Sequence, residues 1–164
     1  MRFAEECQIV PLIIPVDLDD GANASDWVSM KNYNHLSIII LAGIGTNGSD
    51  LVITLDQATT VAGAGTKTLN MTEIHHKVGA TALNAVSLFT RVTQTAANGY
   101  DTDGIDDAEN ESMYIIEVDR DELDGDNDFD CLQLNIAKAG ATKLGGAIAV
   151  LSEPRYNGAD AVGD

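Results

Sequence analysis

Apolar residues along this chain return mostly at every second position and seldom at the three-and-four spacing of a helix. LVITLD (Leu51–Asp56) sets Leu51, Ile53 and Leu55 on one side and Val52, Thr54 and Asp56 on the other, the two-residue period of a half-buried strand. The alternation recurs in SLFTRVTQT (Ser87–Thr95) and in MYIIEV (Met113–Val118), where Tyr114, Ile116 and Val118 share a side. In CLQLNI (Cys131–Ile136) it turns Leu132, Leu134 and Ile136 inward, and in KTLNMTEIHHKV (Lys67–Val78) it places Leu69, Met71 and Glu73 together. LSIIILAG (Leu36–Gly43) is apolar throughout and reads as a strand buried on both faces. IVPLIIPV (Ile9–Val16) is broken by Pro11 and Pro15, which suits an edge strand or an arm. AIAVLSEP closes the series at Pro154.

About eight short strands with Gly, Asn and Asp between them predict an all-β fold. The expected form is a two-sheet β-sandwich, jelly-roll-like, with long acidic loops, because two packed sheets hide most strand edges. Residues 1–18 read as an N-terminal arm or edge strand, 19–156 as a single sandwich domain and 157–164 as a flexible tail. A chain of 164 residues is long enough to bury a core of its own.

Two glycine-rich stretches imitate nucleotide-binding loops. GIGTNG (Gly43–Gly48) spells G-x-G-x-x-G after an apolar run, yet the dinucleotide motif needs a helix after its glycines to hold the pyrophosphate. LVITLD follows instead, and the stretch reads as a hairpin-like loop with Asn47-Gly48 able to take positive φ. In GAGTKT (Gly63–Thr68), Thr66 separates Gly65 from Lys67, and Thr60 stands where the first glycine of a phosphate loop belongs. Both are turns.

Charge narrows the partners. Against 26 acidic residues stand 9 basic ones, a net charge of −17, which repels nucleic-acid phosphates and anionic lipids. Fourteen acidic residues lie between Asp101 and Asp130, with Arg120 the only base among them; such a run is ordinarily a solvated face. DTDGIDD (Asp101–Asp107) and DGDNDFD (Asp124–Asp130) still offer oxygen ligands for a hard cation. Asp101, Asp103, Asp106, Asp124, Asp126 and Asp128 are therefore weak calcium candidates, although neither run follows the helix-loop-helix pattern. Glu73, His75 and His76 form the most metal-like cluster, but adjacent strand residues face opposite ways and two ligands do not make a site. Cys7 and Cys131 are too few for a disulfide framework. No serine sits in a G-x-S-x-G elbow, so no catalytic residue, cofactor or enzymatic role is expected. DWVSMKNY (Asp26–Tyr33) carries the sole tryptophan. Trp27, with Met30 and Tyr33 after it, either caps the sandwich core or anchors a subunit contact.

The succession DWVSMKNY, LVITLDQAT, GTKTL, ELDGDNDFDCLQL and AIAVLSEPRY resembles small structural proteins of tailed bacteriophages, including head decoration, or cement, proteins. The resemblance covers roughly residues 16–156 as an overall pattern. It implies a non-enzymatic β-domain that binds the outside of the shell and bridges major capsid subunits, with self-association as a homotrimer or homodimer. The implied place is the capsid surface of the virion, after synthesis in the host cytoplasm. The proline-broken arm, with Ile9, Pro11 and Ile13, is the implied contact element. A calcium-dependent carbohydrate-binding sandwich and a head–tail connector component are the alternatives.

Overall fold

The computed structural model describes residues 6–79, 88–103, 105, 110–137 and 140–155. Twelve strands run through these residues: β1 (Gln8–Asp17), β2 (Asn23–Ala24), β3 (Val28–Ser29), β4 (Tyr33–Ala42), β5 (Val52–Ala58), β6 (Lys67–Leu69), β7 (Met71–Val78), β8 (Thr90–Ala97), β9 (Gly99–Asp101), β10 (Ser112–Asp119), β11 (Cys131–Ala137) and β12 (Leu144–Pro154). The tail at 157–164, Asp106 and Ser87 lie outside the described residues.

All pairings are antiparallel, and they nest. The first strand pairs with the last, β2 and β3 with β11, β4 with β10, and β5 with β6 and β9. This is a long hairpin folded over on itself, the winding of a jelly roll. Two further pairings, β4 with β12 and β5 with β11, close the sheets. The first sheet runs β1-β12-β4-β10-β7-β8 and the second β2-β11-β5-β6. The β7–β8 hairpin extends the first sheet beyond the four strands of the basic winding.

The core lies between the sheets and follows the predicted alternation. Leu36, Ile38 and Ile40 of β4 face Leu51, Ile53 and Leu55, with Tyr114 and Ile116 of β10 and Leu132, Leu134 and Ile136 of β11 completing one cluster. Several details depart from the sequence reading. The strand at 36–43 is buried on one face only; Leu41, on the other face, is 50% exposed. In the β7–β8 pairing the register slips between Met71 and Glu73, where one residue of β7 stands against three of β8, and Ile74 rather than Glu73 is buried in the core. GIGTNG joins β4 of one sheet to β5 of the other, so it is an arch between sheets and not a hairpin. Gly48 takes φ of 84° there, while Asn47 keeps negative φ.

The fit of β1 against β12 depends on two glycines. A Cβ added at Gly145 would lie 2.6 Å from Leu18 Cδ1, and one at Gly146 only 2.9 Å from the Ile13 carbonyl oxygen. Neither space admits a side chain; at Gly145 the Leu41 carbonyl of β4 also crowds the position, and at Gly146 the close neighbours are the Ile13 and Pro15 backbone of β1 itself. The pairing shifts register between Pro11 and Ile13 and again between Ile13 and Val16. The run predicted as an arm or edge strand is the edge of the first sheet, its pairing interrupted beside its prolines.

Candidate interaction surface

The outer face of the first sheet can be read row by row from the register. One row crosses Pro11, Ile148, Ile39 and Ile115; a neighbouring row crosses Gly146, Leu41 and Met113. Alternation along these strands would normally place polar residues there. Apolar ones stand in their place. Of the ten exposed large apolar side chains among the described residues, seven (Ile9, Ile14, Val16, Leu41, Ile44, Leu144 and Ile148) belong to β1, β12 or the end of β4 and the loop just after it. A groove of about 510 Å³ runs through this region, floored by Ile39, Leu41 and Gly146 and walled by the proline-bearing stretch of β1. Its lining includes a single titratable residue, Glu111. The missing side chain of Gly146 keeps the groove open, since it brings β1 close without filling the floor.

At the other end of the same face the chemistry changes. His35 lies opposite Asp119 on β10. Its Nδ1 is 2.7 Å from Asp119 Oδ1 and its Nε2 2.8 Å from Glu117 Oε2. A neutral imidazole has one N–H and can donate to one carboxylate only, so a ring held between two is the cationic form. Burial pulls the His35 pKa down, but the hydrogen bonds and charges of Asp119 and Glu117 outweigh it and raise the pKa above the usual histidine value. Beyond this clamp an open, acidic hollow is lined by Asp119, Asp121, Asp124, Asp126 and Glu153, with Arg120 and Arg155 at its sides. Those guanidiniums are tied to the backbone, Arg120 to the Met30 carbonyl at 3.1 Å and Arg155 to the Lys31 carbonyl at 3.2 Å.

The residues singled out by sequence are dispersed by the fold. Ile9 and Pro11 are exposed on β1, and Ile13 is buried although it borders the groove. Met30 and Tyr33 are corrected: both are core residues, Met30 with no exposure and the Tyr33 hydroxyl donating to Gln8 Oε1 at 3.1 Å. Trp27 is half-buried over the β5–β6 turn, where its Nε1 would lie 2.7 Å from a Cβ added at Gly63. That turn holds GAGTKT, and Gly63 and Gly65 adopt φ of 76° and 67°.

Asp124 is engaged by Lys67 and by Asn127 Nδ2. The Lys67 ammonium, then the Asn127 amide, hold its carboxyl below the usual range. Asp101 accepts from the Asp103 amide at 3.0 Å, an Asx turn. Asp126 follows Gly125 in a 3-10 turn, and Asp128 ends it with φ of 61°. Among the described residues no three His, Cys, Asp or Glu groups converge as a metal-ligand set; Asp106 lies outside them. Glu73 and His75 share a face, as their spacing requires, with Nε2 3.4 Å from Oε1, and Glu73 also pairs with Arg91. Cys7 and Cys131 are both buried free thiols. Burial, then the Asp130 carboxylate, pushes the Cys131 thiol up to about 12, so it carries no thiolate at neutral pH. Among the described residues no helix is long and apolar enough to cross a membrane.

The exposed apolar face escaped the sequence reading. Its signal was present in Ile39 and Leu41, which make β4 apolar on both sides, and in Leu144, which lies ahead of the predicted last strand.

No protein-family model matches the chain, and no curated protein does. Among solved structures, one of infectious bursal disease virus, Gt strain, aligns with 91% of this chain and 42% of that chain, at 8% identity and a TM-score of 0.24. This chain spans less than half of that one, and so loose a likeness adds nothing to what the strand pairings establish.

Proposed function

We propose that this protein is a non-enzymatic virion component, a capsid decoration protein that attaches to the outside of a bacteriophage shell and bridges its major capsid subunits. The observation that carries the reading is the apolar outer face at β1, β12 and the end of β4. A patch of this kind on an otherwise acidic monomer marks a protein contact, and a sandwich of nested strands presents it on a rigid support. The sequence resemblance to phage cement proteins agrees with it. A protein that binds the assembled lattice, and binds free subunits less well, stabilises that lattice by mass action. Several linked copies add avidity.

The test is to mix purified protein with expanded shells lacking it, then to sediment them and heat them. Co-sedimentation at a fixed ratio to the major capsid protein, with rupture at higher temperature, is the expected result. Calcium-dependent binding on a glycan array without shell binding replaces this reading with the carbohydrate-binding one, and localisation to the portal vertex alone replaces it with the connector.

A further inference from the structure

We infer that Asn47, at the tip of the arch between β4 and β5, is a site of spontaneous modification, converting to aspartate and isoaspartate in the folded protein. This chemistry is independent of whatever covers the apolar face.

The reaction needs an asparagine whose side-chain carbonyl carbon can be reached by the amide nitrogen of the next residue. Glycine suits that next place, since it has no Cβ to block the approach. The Gly48 nitrogen attacks Asn47 Cγ, the Cγ–Nδ2 bond breaks, and ammonia leaves with the Gly48 amide proton. Water then opens the cyclic imide. Opening at Cγ restores the ordinary chain with aspartate; opening at the main-chain carbonyl routes the chain through the side chain as isoaspartate. No oxidant, reductant or cofactor takes part.

The sequence holds three Asn-Gly pairs, and the fold treats the two within the described residues differently. Asn47 and Gly48 are both exposed. They form the middle of a turn closed by the Ser49 N–H, which donates to the Thr46 carbonyl at 2.9 Å, and Gly48 holds φ of 84° there. Among the described residues neither the Gly48 N–H nor the Asn47 side-chain amide has a hydrogen-bond partner. A Cβ added at Gly48 would meet nothing within 4 Å, so the space around the attacking nitrogen is open. The ends of the turn stay fixed meanwhile, because the Thr46 N–H donates to Ser49 Oγ at 3.1 Å and Ser49 is fully buried.

Asn98-Gly99 is held on both sides. The Asn98 carbonyl accepts from the Leu55 N–H at 3.4 Å, Gly99 pairs with Thr54, and the Gly99 carbonyl accepts from Gln94 Nε2 at 3.1 Å. The Asn98 carbonyl and the Gly99 N–H belong to one rigid peptide plane. Turning that nitrogen onto the Asn98 side chain therefore pulls the carbonyl away from Leu55 and disturbs the pairing of β9 with β5. Asn157-Gly158 lies outside the described residues.

The experiment holds the purified chain at mildly alkaline pH, once folded and once unfolded in urea. Each Asn-Gly peptide is then scored by mass and by carboxyl methylation with an isoaspartyl methyltransferase. In the folded protein Asn47 is expected to convert at least about tenfold faster than Asn98, and in urea the two rates should converge. Equal rates in the folded protein overturn the inference, as does an Asn47 that stays intact while the unfolded chain reacts. A gap that persists on unfolding also overturns it, since the difference would then belong to neighbouring residues and not to the fold. Asn47→Gln, at an exposed position, should remove the methylation signal from its peptide and leave the circular dichroism spectrum unchanged. Methylation that persists in that peptide would place the reactive residue elsewhere and sink the assignment.

Discussion

Both faces of β4 carry large apolar side chains, in different surroundings. Leu36, Ile38 and Ile40 are sealed between the sheets with no exposure, while Leu41 on the opposite face stands half in solvent. Along that outer face a second contrast appears: Leu41 borders a mostly apolar groove at one end, and His35 is clamped by two carboxylates at the other. Apolar content alone therefore does not say which side of a strand makes the core. The inner face stabilises the monomer, whereas the outer apolar end is surplus to folding and available for contact.

The largest expected effect tests the first contrast. Ile38→Ala should cost about 2–5 kcal/mol in urea unfolding, since it opens a cavity in a sealed layer. Leu41→Ala should cost less than about 0.5 kcal/mol at low protein concentration. Equal losses at the two positions would erase the distinction between the faces. Gly146→Val comes next, at about 1–3 kcal/mol by overpacking, because the Ile13 carbonyl oxygen and Pro15 leave no room. A neutral outcome would mean that β1 does not lie against β12 as described.

A smaller effect belongs to the His35 end. The folded pKa of His35 is raised above its unfolded value. Its contribution is therefore fully present below about pH 6.5, the unfolded value, and is lost as pH rises through the raised folded value. With Glu117 and Asp119 46% and 65% exposed, screening limits the clamp to about 1 kcal/mol or less. Relative to His35→Gln, the native protein should lose melting temperature between about pH 6 and about pH 9; a gain over that range contradicts the cationic clamp. The smallest effect is a silence. Native protein should not react with a thiol reagent at mildly alkaline pH, and both cysteines should label once it is unfolded. Rapid native labelling, mapped to Cys131, would show that this thiol is not shielded.

Much of the fold was legible. Alternation located most of the longer strands and chose the buried set in β5, β10 and β11, because local side-chain direction is fixed by the strand itself. The two- and three-residue strands β2, β3 and β9 were not legible, since so short a run has no period to read. Glu73 was grouped with Met71 because the register shift is a property of the pairing with β8 and has no signature within β7. Of the candidates drawn from the proline-broken run, Ile9 and Pro11 are exposed on β1. Met30 and Tyr33 were drawn into the core, and Leu41 and Leu144 were missed, because exposure depends on what lies across the sheet.

By itself the sequence determined the strand period, the glycine-rich connections at GIGTNG and GAGTKT, and the acidic balance of the chain. All of these follow from neighbouring residues or from summed charge. Only the tertiary structure decided that the first strand pairs with the last, that Gly146 leaves room for the β1 backbone, and that apolar side chains of β1, β12 and β4 share one groove. Those residues are more than a hundred positions apart along the chain in places, and the contacts that unite them arise from the nesting of strands, which no local pattern encodes.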